Sequence, residues 1–218
     1  DNGNIIRLSP YSKWHSFHRF QHIYSWFLYT LGTLSWVTLK DFKQFFVYKR
    51  ENYVKDRKEF WRQLIILIGT KGLYYGYIFV IPLIFTPWTF WQIIIGFLLL
   101  HFVSGFILSV TFQLAHIVEE NAHETGEKEV IDNSWAAHQV LTTANFSRKS
   151  KFLNWYLGGL NFQIEHHLFP HICHIHYSKL SDIVKKTIRE HGMEYREFGN
   201  MFDAMKSHYK ALKSLSVQ

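Results

Sequence analysis

The run from about residue 90 to 115 constrains this chain more than any other feature, because His101 is its one ionisable side chain. A helix rises 1.5 Å per residue, and about 20 apolar residues cross a hydrocarbon core about 30 Å thick. The run is therefore expected to be a transmembrane helix. Residues 64–85 are also long enough to span, with Lys71 as their single charge, able to snorkel towards an interface. Thr86, Pro87 and Trp88 form an uncharged turn between the two, so they read as a hairpin.

Orientation follows from the flanking charges, since lysine and arginine accumulate on the cytoplasmic side. Lys40, Lys43, Lys49, Arg50, Lys55, Arg57, Lys58 and Arg62 precede the hairpin, which places its turn outside and His116 on the cytoplasmic side. A third apolar stretch, residues 24–39, is shorter and interrupted by Ser, Thr and Gly. If it crossed, the N-terminal histidines would face away from the C-terminal ones, so it is expected to be an interfacial amphipathic helix. The high aromatic content, 20 Phe, 12 Tyr and 8 Trp in 218 residues, suits a protein with side chains at the lipid headgroups.

Net charge is +7, but the basic residues flank apolar spans and form no nucleic-acid-binding motif, so nucleic acid is excluded as a partner. The single cysteine, Cys173, implies no intrachain disulfide and is too isolated for a structural zinc site. Beyond residue 116 come an acidic patch (Glu119, Glu120, Glu124), a polar loop, an apolar helix around a histidine run, and amphipathic surface helices from 177 to 218. The fold expected is all-α: an integral membrane protein with two transmembrane helices, an interfacial amphipathic helix and a cytosolic helical cap carrying metal ligands. Its parts are a cytosolic or interfacial segment (1–63), a transmembrane hairpin (64–115) and the cap (116–218).

Among fourteen histidines, spacing picks out one group. Gln163, His166 and His167 lie at i, i+3 and i+4, on one face of a helix. Neutral imidazole binds iron, zinc and copper, so an adjacent pair suits a transition metal; a helix end with a chance pair is the plainer reading. Gly158-Gly159 before the run and Leu168-Phe169-Pro170 after it bracket a short helix with a breaker at each end.

Thr142-Thr143-Ala144-Asn145-Phe146, then Gly158 through Pro170, then His174-Ile175-His176-Tyr177, resemble the third histidine box of the front-end branch of the membrane fatty-acid desaturases. The wider family has HxxHH there, and the front-end branch has Gln in the first place, as here. Phe112 to His116 also fits, and Ile6 to Pro10 with Gln21 to Tyr24 resemble the segment just after the second box. The likeness covers essentially the whole chain. It implies that His166, His167 and His116 are iron ligands, and that Gln163 takes a ligand position or orients a water or a neighbouring ligand. One departure is Phe112, with Gln113 beside it, where the stearoyl-type branch has an Asn that helps hold a water at iron.

The family supplies most of its ligands from a first box, HxxxH, and a second, HxxHH. His18 and His22, with His15 a helical neighbour, mimic the first, but their flanks match the region after the second box. The chain is therefore expected to be the C-terminal part of a single desaturase domain and inactive alone. Glu120 and His123 match the Glu-x-x-His of carboxylate-bridged di-iron bundles, which needs a second copy; they read, with Glu119, as a solvated or supporting face. His171, His174 and His176 are assigned to support or surface, and His101 to bonding a neighbouring helix.

The resemblance implies two non-haem iron ions with O2 as co-substrate, and electrons from a carrier of cytochrome b5 or ferredoxin type. A double bond would form in a fatty acyl chain carried as acyl-CoA or acyl-lipid, with O2 reduced to two waters. Rival readings are a related membrane hydroxylase or sphingolipid desaturase and, of another class, a non-enzymatic membrane protein holding zinc or haem structurally.

Overall fold

The computed structural model describes residues 5–118 and 134–217; Glu119, Glu120, His123 and Glu124 lie outside them. The chain divides into two compact units, Phe27–Leu108 and a unit of Asp1–Trp26 with Ser109–Gln218. A 3-10 turn, Ser16–Phe20, leads into helices α1 (Gln21–Thr30), α2 (Gly32–Ser35) and, after a π-helical turn at Trp36–Lys40, α3 (Asp41–Arg50). Asp56, accepting a hydrogen bond from Glu59 N, caps α4 (Arg57–Tyr75), which runs through a second π-turn, Gly76–Val80, into α5 (Ile81–Phe85). After the Pro87 turn, α6 runs unbroken over Phe90–His116.

Both expected long apolar helices are present. Arg57–Phe85, with 29 residues, and Phe90–His116, with 27, are long and apolar enough to cross a membrane. Their lengths are about 43 and 40 Å at 1.5 Å per residue. Ile65, Leu73, Phe85, Trp91 and Leu99 point outward, as side chains facing lipid would.

Residues 24–39, expected as an interfacial helix, pack against the hairpin. Within the unit Phe27–Leu108, Thr33 donates to the carbonyl of His101, near the middle of α6, at 2.8 Å, and the backbone oxygen of Thr30 crowds Gly105 so closely that an added Cβ would lie 2.4 Å away. Lys71, the single charge of residues 64–85, is met by partners inside this unit. Its ammonium pairs with Asp41 at 2.6 Å and donates to the Val37 carbonyl at 2.7 Å. Further on, Phe45 and Lys49 lie against Phe60, near the start of α4. The segment therefore reaches half-way along the hairpin at Thr33 and Val37 and then runs back towards the start of α4. The physical reason is charge: a lysine midway along an apolar helix is costly unless an opposite charge and a carbonyl meet it. His101 bonds its neighbours as expected, its two ring nitrogens lying 3.1 Å from Thr33 Oγ1 and 3.0 Å from Tyr74 OH.

In the other unit, Ser134 caps α7 (Trp135–Leu141), Ser150 caps α8 (Lys151–Tyr156), and α9 (Gln163–Leu168) carries the histidine run. The amphipathic helices expected in the tail are α10 (Tyr177–Glu190) and α11 (Met201–Ser214). A core of Val140, Ile164, Val184, Ile188 and Tyr195 joins α7, α9 and α10. The chain is mostly but not wholly helical: β1 (Asn145–Phe146) pairs in parallel with β2 (Glu197–Phe198), because this extended stretch must find backbone partners outside any helix.

Candidate metal centre

The short helix α9 is placed by what surrounds it. Gly159 sits at φ 77°, where a side chain is strained, and a Cβ there would lie 2.7 Å from His174 Cβ. Ile164 and Glu165 turn into the core, and Glu165 is wholly buried. Asn145 is the hub. Its Oδ1 accepts from Ile164 N at 2.9 Å, and its amide nitrogen donates to Glu165 Oε2 at 2.7 Å and to Tyr195 OH at 2.6 Å. Tyr195 OH donates in turn to Glu165 Oε1 at 2.8 Å. Burial raises the pKa of both Glu165 and Tyr195, and for the carboxylate these hydrogen bonds offset it only in part. With both oxygens engaged inside the core, Glu165 is a brace for α9 rather than a metal donor.

The histidines of the run point the other way. His167 meets His116, the last residue of α6, with ring centroids 5.0 Å apart, and His166 lies 5.8 Å from His167. His167 Nδ1 is 2.8 Å from Gln139 Oε1 on α7. An amide oxygen can only accept, so the proton sits on Nδ1 and Nε2 keeps its lone pair. Burial, then the neighbouring His116 and His166, push the pKa of His167 down to about 4, so it is neutral at neutral pH, as a metal ligand must be. His116 hydrogen-bonds to the backbone of Thr142, and Ala144 N donates to Ala115 O at 2.9 Å, tying the end of α6 to this unit.

Gln163 is buried, and its amide nitrogen donates to Leu160 O at 2.8 Å, leaving only its oxygen to offer a metal or a water. Phe112 is partly exposed. Among the described residues no three His, Cys, Asp or Glu side chains converge to hold a metal ion; the three imidazoles are adjacent rather than convergent. Their donor chemistry fits part of a transition-metal site.

The run His18 to His22 is built into packing. His18 is fully buried, its Nδ1 accepting from His15 N at 3.0 Å, and His22 packs edge-on against Tyr209. Gln21 between them bonds Arg7 N, Arg7 O and Leu212 O. His171, His174 and His176 are exposed.

The model of the family described as "Fatty acid desaturase" matches residues 4–199. The chain belongs to the fatty acid desaturase family. It is 35% identical to an sn-1 linoleoyl-lipid 6-desaturase of Synechocystis sp., covering 96% of this chain and 58% of that protein. It is 33% identical to the sn-1 linoleoyl-lipid 6-desaturase of Arthrospira platensis, over 98% and 57%. An acyl-lipid (8-3)-desaturase of Physcomitrium patens is 35% identical over 92% of this chain and 42% of its own. The chain thus spans about half the length of the curated desaturases it matches. No solved structure matches it. These relatives agree with the front-end branch read from Gln163 in the first place of the run.

Sequence reasoning missed Gln139, Tyr195 and the bracing role of Glu165. Asn145 stood in the quoted motif without a role. Gln139 carries no signal of its own in the sequence, because only the packing of α7 beside α9 brings it to His167.

Proposed function

We propose that His116, His166 and His167 are this chain's share of an all-imidazole, two-iron centre in an oxygen-dependent acyl-lipid desaturase, with the site on the cytoplasmic face of the membrane. The observation that carries the proposal is the meeting of His116, at the end of a membrane-length helix, with the His166–His167 pair. Further imidazoles would come from sequence beyond these 218 residues, with Gln163 orienting a water or a neighbouring ligand.

Iron bound there would supply, with O2 and electrons from a carrier, an oxidant able to take hydrogens from an unactivated methylene. The chain's own residues hold and orient. Gln139 fixes the tautomer of His167, the Thr142 backbone holds His116, and the Asn145–Glu165–Tyr195 brace sets the register of α9. A site at the end of a spanning helix meets acyl chains where they leave the lipid, and the relatives' names point to acyl chains on lipids.

Two measurements on the full-length protein test this. Metal analysis is expected to find iron, two ions per protein; zinc or haem in its place overturns the reading. Product analysis on an acyl-lipid substrate is expected to show a new double bond; a hydroxylated product would assign the related hydroxylase chemistry.

A further inference from the structure

On α8, Phe152, Trp155 and Tyr156 lie at i, i+3 and i+4, on one face of the helix. All three are exposed, Trp155 at 76% of its surface. The rings pack on one another, Phe152 stacked on Tyr156 at 5.7 Å and tilted to Trp155 at 6.2 Å, so the patch is preformed. Lys149 and Lys151 stand exposed beside it. The helix beneath is rigidly held. Ser150 caps it, Asn154 donates to Arg148 O at 3.0 Å and accepts from Asn161 at 2.6 Å, and Leu157 is buried.

We infer that this face of α8 is an anchor that seats the histidine-bearing unit in the lipid–water interface, its rings at headgroup depth and its lysines on lipid phosphates. Trp and Tyr favour that depth because one part of each ring is apolar and another can be hydrogen-bonded, and lysine adds attraction to anionic lipid. The bilayer is the occupant because this same unit contains the end of α6. Ala144 N bonds Ala115 O, and His208 Nδ1 donates to Ile117 O at 2.6 Å, so the last turn of the span is built into the unit that carries α8. Such an anchor would fix the height of His116, His166 and His167 above the membrane, and hence the reach of an acyl chain to them.

The inference rests on the membrane reading, and the test separates the two. In the full-length protein with Cys173→Ser and any further native cysteines replaced, single cysteines are placed at Trp155→Cys, at Leu99→Cys on α6 and at Lys186→Cys on α10, and each is labelled with an environment-sensitive fluorophore. The proteins are reconstituted in phosphatidylcholine–phosphatidylglycerol vesicles. At position 155 the emission is expected to shift to the blue and to be quenched several-fold more by nitroxide lipids labelled at the headgroup than at the chain end. Position 186 is expected to be quenched by aqueous iodide only. Iodide quenching at 155 would overturn the anchor, and so would shelter from both quenchers, which would mean that protein covers the patch. Iodide quenching at Leu99→Cys would overturn the membrane reading itself. A companion variant, Lys149→Glu with Lys151→Glu, is expected to weaken headgroup quenching at 155 in these anionic vesicles; unchanged quenching would remove the lysines from the anchor.

Discussion

Two runs in this chain combine histidines with a fully buried polar residue, and they present those histidines differently. In His18–His22 the buried residues are Gln21, bonded to Arg7 and Leu212, and His18 itself. In Gln163–His167 the buried Glu165 braces the helix from inside while His166 and His167 stay only partly buried, beside His116. Spacing alone does not say which of the two runs offers its histidines to a metal. What separates them is which side chain the core consumes: a histidine sealed in packing has no face left for a metal.

That contrast can be broken most forcefully at the histidines. In the full-length protein, His166→Ala or His167→Ala is expected to abolish stoichiometric iron binding, whereas His18→Ala is expected to leave iron bound to the folded fraction and to lower stability. Iron loss without unfolding in His18→Ala would make the first run a ligand box after all. Gln21→Leu removes three buried hydrogen bonds and leaves backbone groups unpaired, so thermal unfolding in detergent should report a loss of about 2–4 kcal/mol with the folded protein's iron content unchanged. Gln139→Leu removes the acceptor that orients His167 and is expected to weaken metal affinity roughly 10–100-fold, with Gln139→Glu retaining most of it. Equilibrium dialysis against a chelator measures both.

A smaller effect sharpens the structural side. His208 donates to Ile117 O and packs edge-on against Trp26, and burial pushes its pKa down to about 4. The unfolded chain, with an imidazole near the ordinary value of about 6.5, is then the better proton binder. The stability that depends on a neutral His208 is fully present above pH about 6.5 and is lost as pH falls towards about 4, at about 1.4 kcal/mol per pH unit. His208→Gln is expected to flatten that slope in denaturant titrations at several pH values; an unchanged slope would assign the acid sensitivity elsewhere.

Much of this was legible in the sequence where chemistry is repetitive. The two long apolar helices follow from residue type and length, and α9 from its glycines, its proline and its histidine spacing. The fate of residues 24–39 was not legible, because it depends on Asp41 and the Val37 carbonyl meeting Lys71, contacts that distant stretches of chain make only after packing. Gln139 and Tyr195 were invisible for the same reason. The β1–β2 pair, two residues a side, is too short to show any alternation.

If His116, His166 and His167 belong to one iron centre, removing His116 must reach the metal. Full-length protein purified with its metal should be compared with its His116→Ala variant by metal analysis and iron X-ray absorption. Iron in an imidazole environment is expected, lost or depleted in the variant while the protein remains folded. Undiminished iron with unchanged imidazole coordination in His116→Ala would contradict a shared centre.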